Sequence, residues 1–181
     1  GGFLLSRGME STGAHHRIAL SVVNLVGGHK PRRLVLGFMI AGALLSMWIS
    51  NTASILMLMP VALAVLASCS DRNSLAAPLL LGLAWSCSIG GLGTPIGTPP
   101  NLILVQVYEE NTAQTISFGQ WMSWGMPVVL TLLPLAWWWV TRAVPRELDI
   151  QVPAVGPWRS AERRVLVVFV LTAVAWITRA E

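Results

Sequence analysis

Three long stretches, residues 34–69, 75–107 and 121–140, contain no Asp, Glu, Lys, Arg or His. Helices in water carry charged groups on their solvent face, so stretches of this kind are buried all round or lie in lipid. Only 11% of the 181 residues are charged and 54% are hydrophobic, whereas an ordinary soluble domain is about a quarter charged. That composition excludes a disordered chain and a coiled coil. The net charge of +4 rests on 12 Lys+Arg against 8 Asp+Glu. These basic residues fall in the connections between apolar stretches, not on one basic face, so no nucleic-acid partner is expected. The expected fold is an all-α polytopic membrane protein, surrounded by membrane lipid.

Cys69 and Cys87 both lie in apolar stretches and match no zinc or disulfide framework, so they identify no redox compartment. The chain opens at Gly1 without a methionine and ends four residues after an apolar run. It shows no recognisable secretory signal peptide and reads as a fragment from the middle of a longer membrane protein.

Residues 1–33 are interrupted by Arg7, Glu10, His15, His16 and Arg17, too polar to cross a bilayer. They suit an amphipathic helix at the membrane interface, or a broken connector. Two apolar blocks follow, 34–49 and 53–69, separated only by Ser50-Asn51-Thr52. Each is about 25 Å long as helix at 1.5 Å per residue, while a full crossing takes roughly 20 residues. One continuous helix over 34–69 would be about 54 Å long, too long for one crossing. Lys30, Arg32 and Arg33 precede the pair and Arg72 follows it. With both flanks cytoplasmic, residues 34–73 become a re-entrant hairpin whose tip carries Ser50-Asn51-Thr52 inside the membrane. Two full spans joined by a tight outer turn satisfy the same charges.

Residues 74–110 read as one crossing broken at Gly93-Thr94-Pro95-Ile96-Gly97-Thr98-Pro99-Pro100-Asn101. Irregular backbone at that depth is tolerated only where protein buries it or a polar cavity meets it. Residues 120–142 form a full span, with Trp121 and Trp124 at one end and Trp137, Trp138 and Trp139 at the other, as in aromatic belts. Residues 73–141 hold no Lys or Arg, whereas 142–164 hold Arg142, Arg146, Arg159, Arg163 and Arg164. The Glu109-Glu110 loop is therefore expected outside, the connector 143–164 in the cytoplasm, and 165–181 at the start of a further span.

The polar tip and the Gly/Pro break are where chemistry is expected. Ser46 and Ser50 are four apart, which on a helix puts both hydroxyls on one face. The incoming half-helix ends with unpaired carbonyls and partial negative charge. Those carbonyls, the Ser hydroxyls and the Asn51 amide oxygen suit a hard monovalent cation. The outgoing half-helix starts at Asn51 or Thr52, either a good N-cap, and its first amides favour an anion. Paired sites of this kind occur at the discontinuous helices of secondary transporters. In the second break Gly97 is placed to present its carbonyl to a cation, and Pro99 and Pro100 suit the first turn of the next half-helix. Each break also admits a plainer reading, as serine back-bonding to its own helix or as a packing kink.

The break is no phosphate cradle, since it lacks the Lys of a Walker A loop and the third glycine of a dinucleotide fingerprint. No catalytic triad, paired carboxylates or metal-ligand cluster lies in the apolar stretches, and His15-His16 suits a surface pair. No enzyme is expected, and no proton relay of intramembrane acids.

Ser46-Met47-Trp48-Ile49-Ser50-Asn51-Thr52-Ala53, followed about 40 residues on by Gly97-Thr98-Pro99-Pro100-Asn101, closely resembles the divalent anion/sodium symporter family of sodium-coupled dicarboxylate and citrate transporters. The resemblance extends from Arg7-Gly8-Met9-Glu10 to Trp176-Ile177-Thr178-Arg179. It implies two inverted repeats, a homodimer in the cell membrane and an elevator movement. It also implies a sodium ion held by Ser46, Ser50, Asn51 and the Gly97 backbone, and a dicarboxylate such as succinate, malate or fumarate touching Asn51 and Thr52. Gly93, Thr94, Pro95, Thr98, Pro99, Pro100 and Asn101 would shape that site. This chain has one Ser-Asn-Thr and one Gly-Thr-Pro-Pro, where the family has a second hairpin. Sodium-independent exchange, transport of sulfate, and a non-transporting membrane scaffold are the competing expectations.

Overall fold

The computed structural model describes residues 8, 14–26, 30–145, 148 and 160–178. Among them run α1 (Ala14–Val26), α2 (Pro31–Ser46), α3 (Asn51–Ala67), α4 (Arg72–Gly90), a 3-10 turn (Gly91–Gly93), α5 (Pro99–Thr112), α6 (Phe118–Thr141) and α7 (Ser160–Thr178), with no strand. Arg7, Met9 and Glu10, most of the 143–164 connector, and Arg179 lie outside the described residues. Arg72–Gly93 and Phe118–Thr141 are long and apolar enough to cross a membrane. The apolar helix Asn51–Ala67 is shorter than these.

α2 is the central helix. Leu34, Val35, Phe38, Met39, Ala41 and Leu45 are buried along its length, and its small residues admit close neighbours. A Cβ on Gly90 of α4 would come within 2.4 Å of the Ala43 backbone, so only glycine permits that approach. α1 lies on the opposite flank, with Val23 fully buried in the core. Ile18 and Val22 pack beside Leu45 and Ile49. α2 thus covers part of the apolar face of α1, while Leu25 stays exposed.

α2 and α3 form the two arms of a hairpin. The start of α2 (Leu34, Val35, Phe38) shares a core cluster with the end of α3 (Ala62, Val65, Leu66). Ala41, Leu45 and Ile49, nearer the tip, cluster with Leu58. The turn tightens after Ser46, where the Trp48 and Ile49 amides both bond the Leu45 carbonyl, at 3.0 and 2.9 Å. Ser50 then turns extended and caps α3, its Oγ accepting the Ala53 amide at 3.3 Å. Asp71 caps α4 in the same way, accepting the Ser74 amide at 3.3 Å and the Ser74 hydroxyl at 2.5 Å. These bonds hold its carboxyl below the ordinary aspartate value.

The open end of the hairpin is the basic end of the bundle. Leu75, Leu79 and Val144 join the cluster around Leu34. Arg32 donates to the carbonyls of Arg142 at 3.2 Å and Val144 at 3.3 Å, and Trp137 Nε1 donates to the Arg32 carbonyl at 2.8 Å. Trp121 Nε1 likewise donates to the Leu92 carbonyl at 3.0 Å, so these two rings are engaged with the protein, while Trp124, Trp138 and Trp139 are exposed. Arg142 sits 3.8 Å over the Trp139 ring, a cation–π contact. α5 leads the other way, and Leu104 and Tyr108 meet Trp121 and Trp124 around an apolar cavity. Glu109 and Glu110 thus lie beyond the break, away from the basic end.

Candidate functional site

The hairpin tip meets the end of α4, so the two breaks in the sequence form one place in the fold. Ser46, the last residue of α2, is fully buried. Its Oγ donates to the Cys87 carbonyl at 2.6 Å and also stands 2.5 Å from Asn51 Oδ1. A hydroxyl has one proton and cannot donate to both oxygens. Three oxygens therefore converge with fewer protons than acceptors, a set that suits a hard cation. No Asp, Glu, Lys, Arg or His belongs to the residues forming this place, so its field comes from the backbone.

That field has two signs. α2 ends here, with the partial negative charge of its carbonyl end, and α3 begins here, with the positive end of its dipole. The Ala53 and Ser54 amides are satisfied by Ser50, through its Oγ at 3.3 Å and its carbonyl at 2.9 Å. The Asn51 and Thr52 amides, preceding them, have no carbonyl four residues back inside the helix. Groups that suit a cation and groups that suit an anion thus stand within one turn of each other.

The second break is fastened to the first. Thr94 is fully buried and its Oγ1 donates to the Met47 carbonyl. Gly93 lies against the Met47 side chain. Asn101, buried in the first turns of α5, donates through Nδ2 to the Gly91 carbonyl at 2.8 Å and the Thr94 carbonyl at 2.9 Å. Pro99 and Pro100 occupy the first turn of α5, behind Thr98 as N-cap, where a missing N–H leaves no helical bond unmade. Pro95 and Gly97 are both buried. A Cβ on Gly97 would lie 2.5 Å from the Gly91 carbonyl oxygen, and one on Gly91 would lie 2.7 Å from Asn51 Oδ1. Gly97 is thereby linked to the Asn51 amide through Gly91.

Two expectations about the tip need correction. Ser46 and Ser50 do not share a helix face, because α2 ends at Ser46 and the chain turns before Ser50. Ser46 is buried and Ser50 exposed. The cap of α3 is Ser50, not Asn51 or Thr52, since it is Ser50 Oγ that accepts the Ala53 amide. Thr52 is exposed beside it. Sequence reasoning missed the Cys87 carbonyl, which no residue type announces. It also missed Gly91, although the density of glycines at Gly90-Gly91-Leu92-Gly93 was a signal for close packing at that point.

The family profile described as citrate transporter matches residues 1–180. The chain is 35% identical over 200 aligned positions to the sodium-dependent dicarboxylate transporter SdcS of Staphylococcus saprophyticus, covering 99% of this chain and 38% of the relative. It is 34% identical, with the same coverage, to the protein of that name in Staphylococcus aureus. The chain thus spans 38% of the length of these curated relatives. Its relatives are transporters and not enzymes, and a match over nearly its whole length shows the family: this chain, helical throughout its described residues, belongs to an integral membrane family, the citrate transporter family, and is of the divalent anion/sodium symporter type.

Proposed function

We propose that this chain carries one of two inverted repeats of a sodium-coupled dicarboxylate carrier, a homodimer in the cell membrane that works by an elevator movement. The observation that carries this reading is the convergence of Ser46 Oγ, Asn51 Oδ1 and the Cys87 carbonyl at 2.5 and 2.6 Å, with one hydroxyl proton between them. Sodium, the co-transported ion, would sit among Ser46, Ser50, Asn51 and the Gly97 carbonyl. Capping the Ala53 amide uses one lone pair of Ser50 Oγ and leaves the other for the ion. A substrate carboxylate would meet the Asn51 and Thr52 amides and side chains, where the dipole of α3 favours an anion. Sodium binding next to that carboxylate lowers the cost of bringing it into an uncharged site, which is the physical basis of coupling.

Membrane placement follows the same geometry. Gly125 of α6 is level with the tip, since its Cβ would lie 2.5 Å from the Leu92 carbonyl, and Gly93 touches Met47. From Gly125 to Thr141 is about 24 Å of helix, and from Phe118 to Gly125 about 10 Å more. The hairpin therefore reaches only part of the way along a helix long enough to span the about 30 Å hydrocarbon core. That supports a re-entrant hairpin with both ends on the cytoplasmic, basic side.

The test is succinate uptake by the full-length protein in proteoliposomes, with an inward sodium gradient or with choline replacing sodium. Uptake that depends on sodium is expected. Equal uptake in choline would reject the coupling and favour sodium-independent exchange.

A further inference from the structure

Among the described residues, the buried polar side chains of Ser46, Ser86, Thr94, Asn101, Thr141 and Glu162 all have hydrogen-bond partners. Ser54 does not: it is fully buried and its Oγ has no partner. A buried hydroxyl without a partner is rare in folded proteins and destabilising, so it calls for a reason. The usual outlet is the carbonyl four residues back. Here the Ser50 carbonyl accepts the Ser54 amide at 2.9 Å and takes no bond from the hydroxyl.

The position of Ser54 on α3 supplies the reason. It follows Asn51 by three residues and precedes Leu58 by four, so the three lie on one face of the helix. Leu58 packs with Leu45, Leu83 and Cys87. Asn51 Oδ1 lies against Ser46 Oγ, which donates to the Cys87 carbonyl. The residues on either side of Ser54 along this face thus both reach the Cys87 turn of α4. With no access to solvent, Ser54 faces the same seam, one turn deeper than the oxygens of the tip.

We propose that Ser54 is a further sodium-binding residue, whose Oγ forms the floor of the cation site beneath Ser46, Asn51 and the Cys87 carbonyl. The inference rests on reading the tip as a sodium site. A hydroxyl oxygen suits a hard monovalent cation and brings no charge that would have to be neutralised when the ion leaves. Leaving it unpaired raises the free energy of the ion-free state, and the entering ion relieves that cost, so the residue favours occupancy. Near the tip, acceptors exceed protons, while one turn below a hydroxyl has no partner at all. An ion between the two levels resolves both.

Thermal unfolding of the detergent-solubilised full-length protein, titrated with sodium chloride against choline chloride, tests this without reference to transport. Ser54→Ala removes an unpaired hydroxyl. It should therefore unfold in choline at or above the wild-type temperature, yet need about 10-fold more sodium or beyond for the same upward shift, the scale of one lost contact to a charge. Ser54→Cys, only slightly larger, substitutes a poor ligand for a hard cation and should show the same loss. Ser54→Thr keeps the oxygen and should titrate close to wild type. An unchanged sodium titration in Ser54→Ala overturns the inference, and lower stability in choline would then identify a trapped water as the partner of Ser54. If Asn51→Ala still abolishes the sodium shift in that case, the tip site stands without Ser54. A wild-type protein that shows no sodium shift over choline rejects the tip site and this inference together.

Discussion

Asn51 stands where the carbonyls of α2 end and the amides of α3 begin, and its Oδ1 lies 2.5 Å from the buried Ser46 hydroxyl. Asn51→Ala should therefore weaken sodium and substrate binding together, by about 5–150-fold, the usual range of coupling between two sites. Sodium and succinate titrations of the full-length mutant check this, and two affinities within twofold of wild type would reject the assignment. Gly97→Ala meets a different obstacle. Its added methyl falls 2.5 Å from the Gly91 carbonyl oxygen, which Asn101 already holds at 2.8 Å. The loop must shift, and Gly91 carries the disturbance to the Asn51 amide. The expected outcome is weaker sodium activation of uptake at matched expression, whereas a sodium curve equal to wild type would show that Gly97 has no part in the site. At this scale the residue types were legible but their geometry was not. Ser46, Asn51 and Asn101 stood out as polar groups in apolar surroundings. The rule that places i and i+4 on one face failed at Ser50 because it holds only while the helix continues, and α2 stops at Ser46.

The helices themselves were legible because each break has a chemical mark. The polar run Ser50-Asn51-Thr52 parts α2 from α3, and Pro99 and Pro100 start α5, whereas the caps actually used, Ser50 for α3 and Asp71 for α4, were not read. Pro60, Pro78, Pro127 and Pro134 sit inside helices and left no break, since membrane helices re-satisfy the backbone groups that proline frees. The fastening of one break to the other was not legible. Thr94 to the Met47 carbonyl and Ser46 to the Cys87 carbonyl span 47 and 41 positions, and no local pattern encodes such pairs. The fastening makes the tip and the α4 break a single unit, so the orientation of the hairpin determines that of the whole site. Orientation can be read from its open end. Asn73→Cys, one residue after Arg72 in the exposed first turn of α4, should react with a membrane-impermeant thiol reagent only when the cytoplasmic face is opened. The background is a cysteine-free, full-length protein, and strong labelling from outside intact cells would invert the proposed topology.

On the scale of the molecule, two helices far apart in sequence close around the hairpin. α7 lays Phe169 edge-on against Trp48 of the tip, with ring centroids 5.0 Å apart. Val165 joins α1's Ile18 and Val22 in the same cluster. Arg17 of α1 reaches Glu162 in the first turn of α7, with Nε 2.7 Å from one carboxylate oxygen and 2.6 Å from the other. The two residues are 145 positions apart. In the sequence they appear only as charges in two separate polar segments, and nothing local pairs them. Glu162 is well placed at a helix N-terminus, where the dipole favours an anion. Its side chain keeps 5% exposure and that of Arg17 keeps 17%, so each charge depends on the other for much of its stabilisation. Breaking a fully buried pair costs about 3–5 kcal/mol. With Arg17 still partly wetted, removing either partner should cost about 1.5–3 kcal/mol, the range of a hydrogen bond to a charged group. Arg17→Gln, Glu162→Gln and the double variant form a cycle that isolates the pair. Each single variant of the full-length protein should unfold at a lower temperature than wild type. The double variant should lose little more than either one, because a lone buried charge is worse than none. Strictly additive losses would mean that the two charges act independently, and would leave apolar packing at Ile18, Val22, Val165 and Phe169 as what holds α1 to α7.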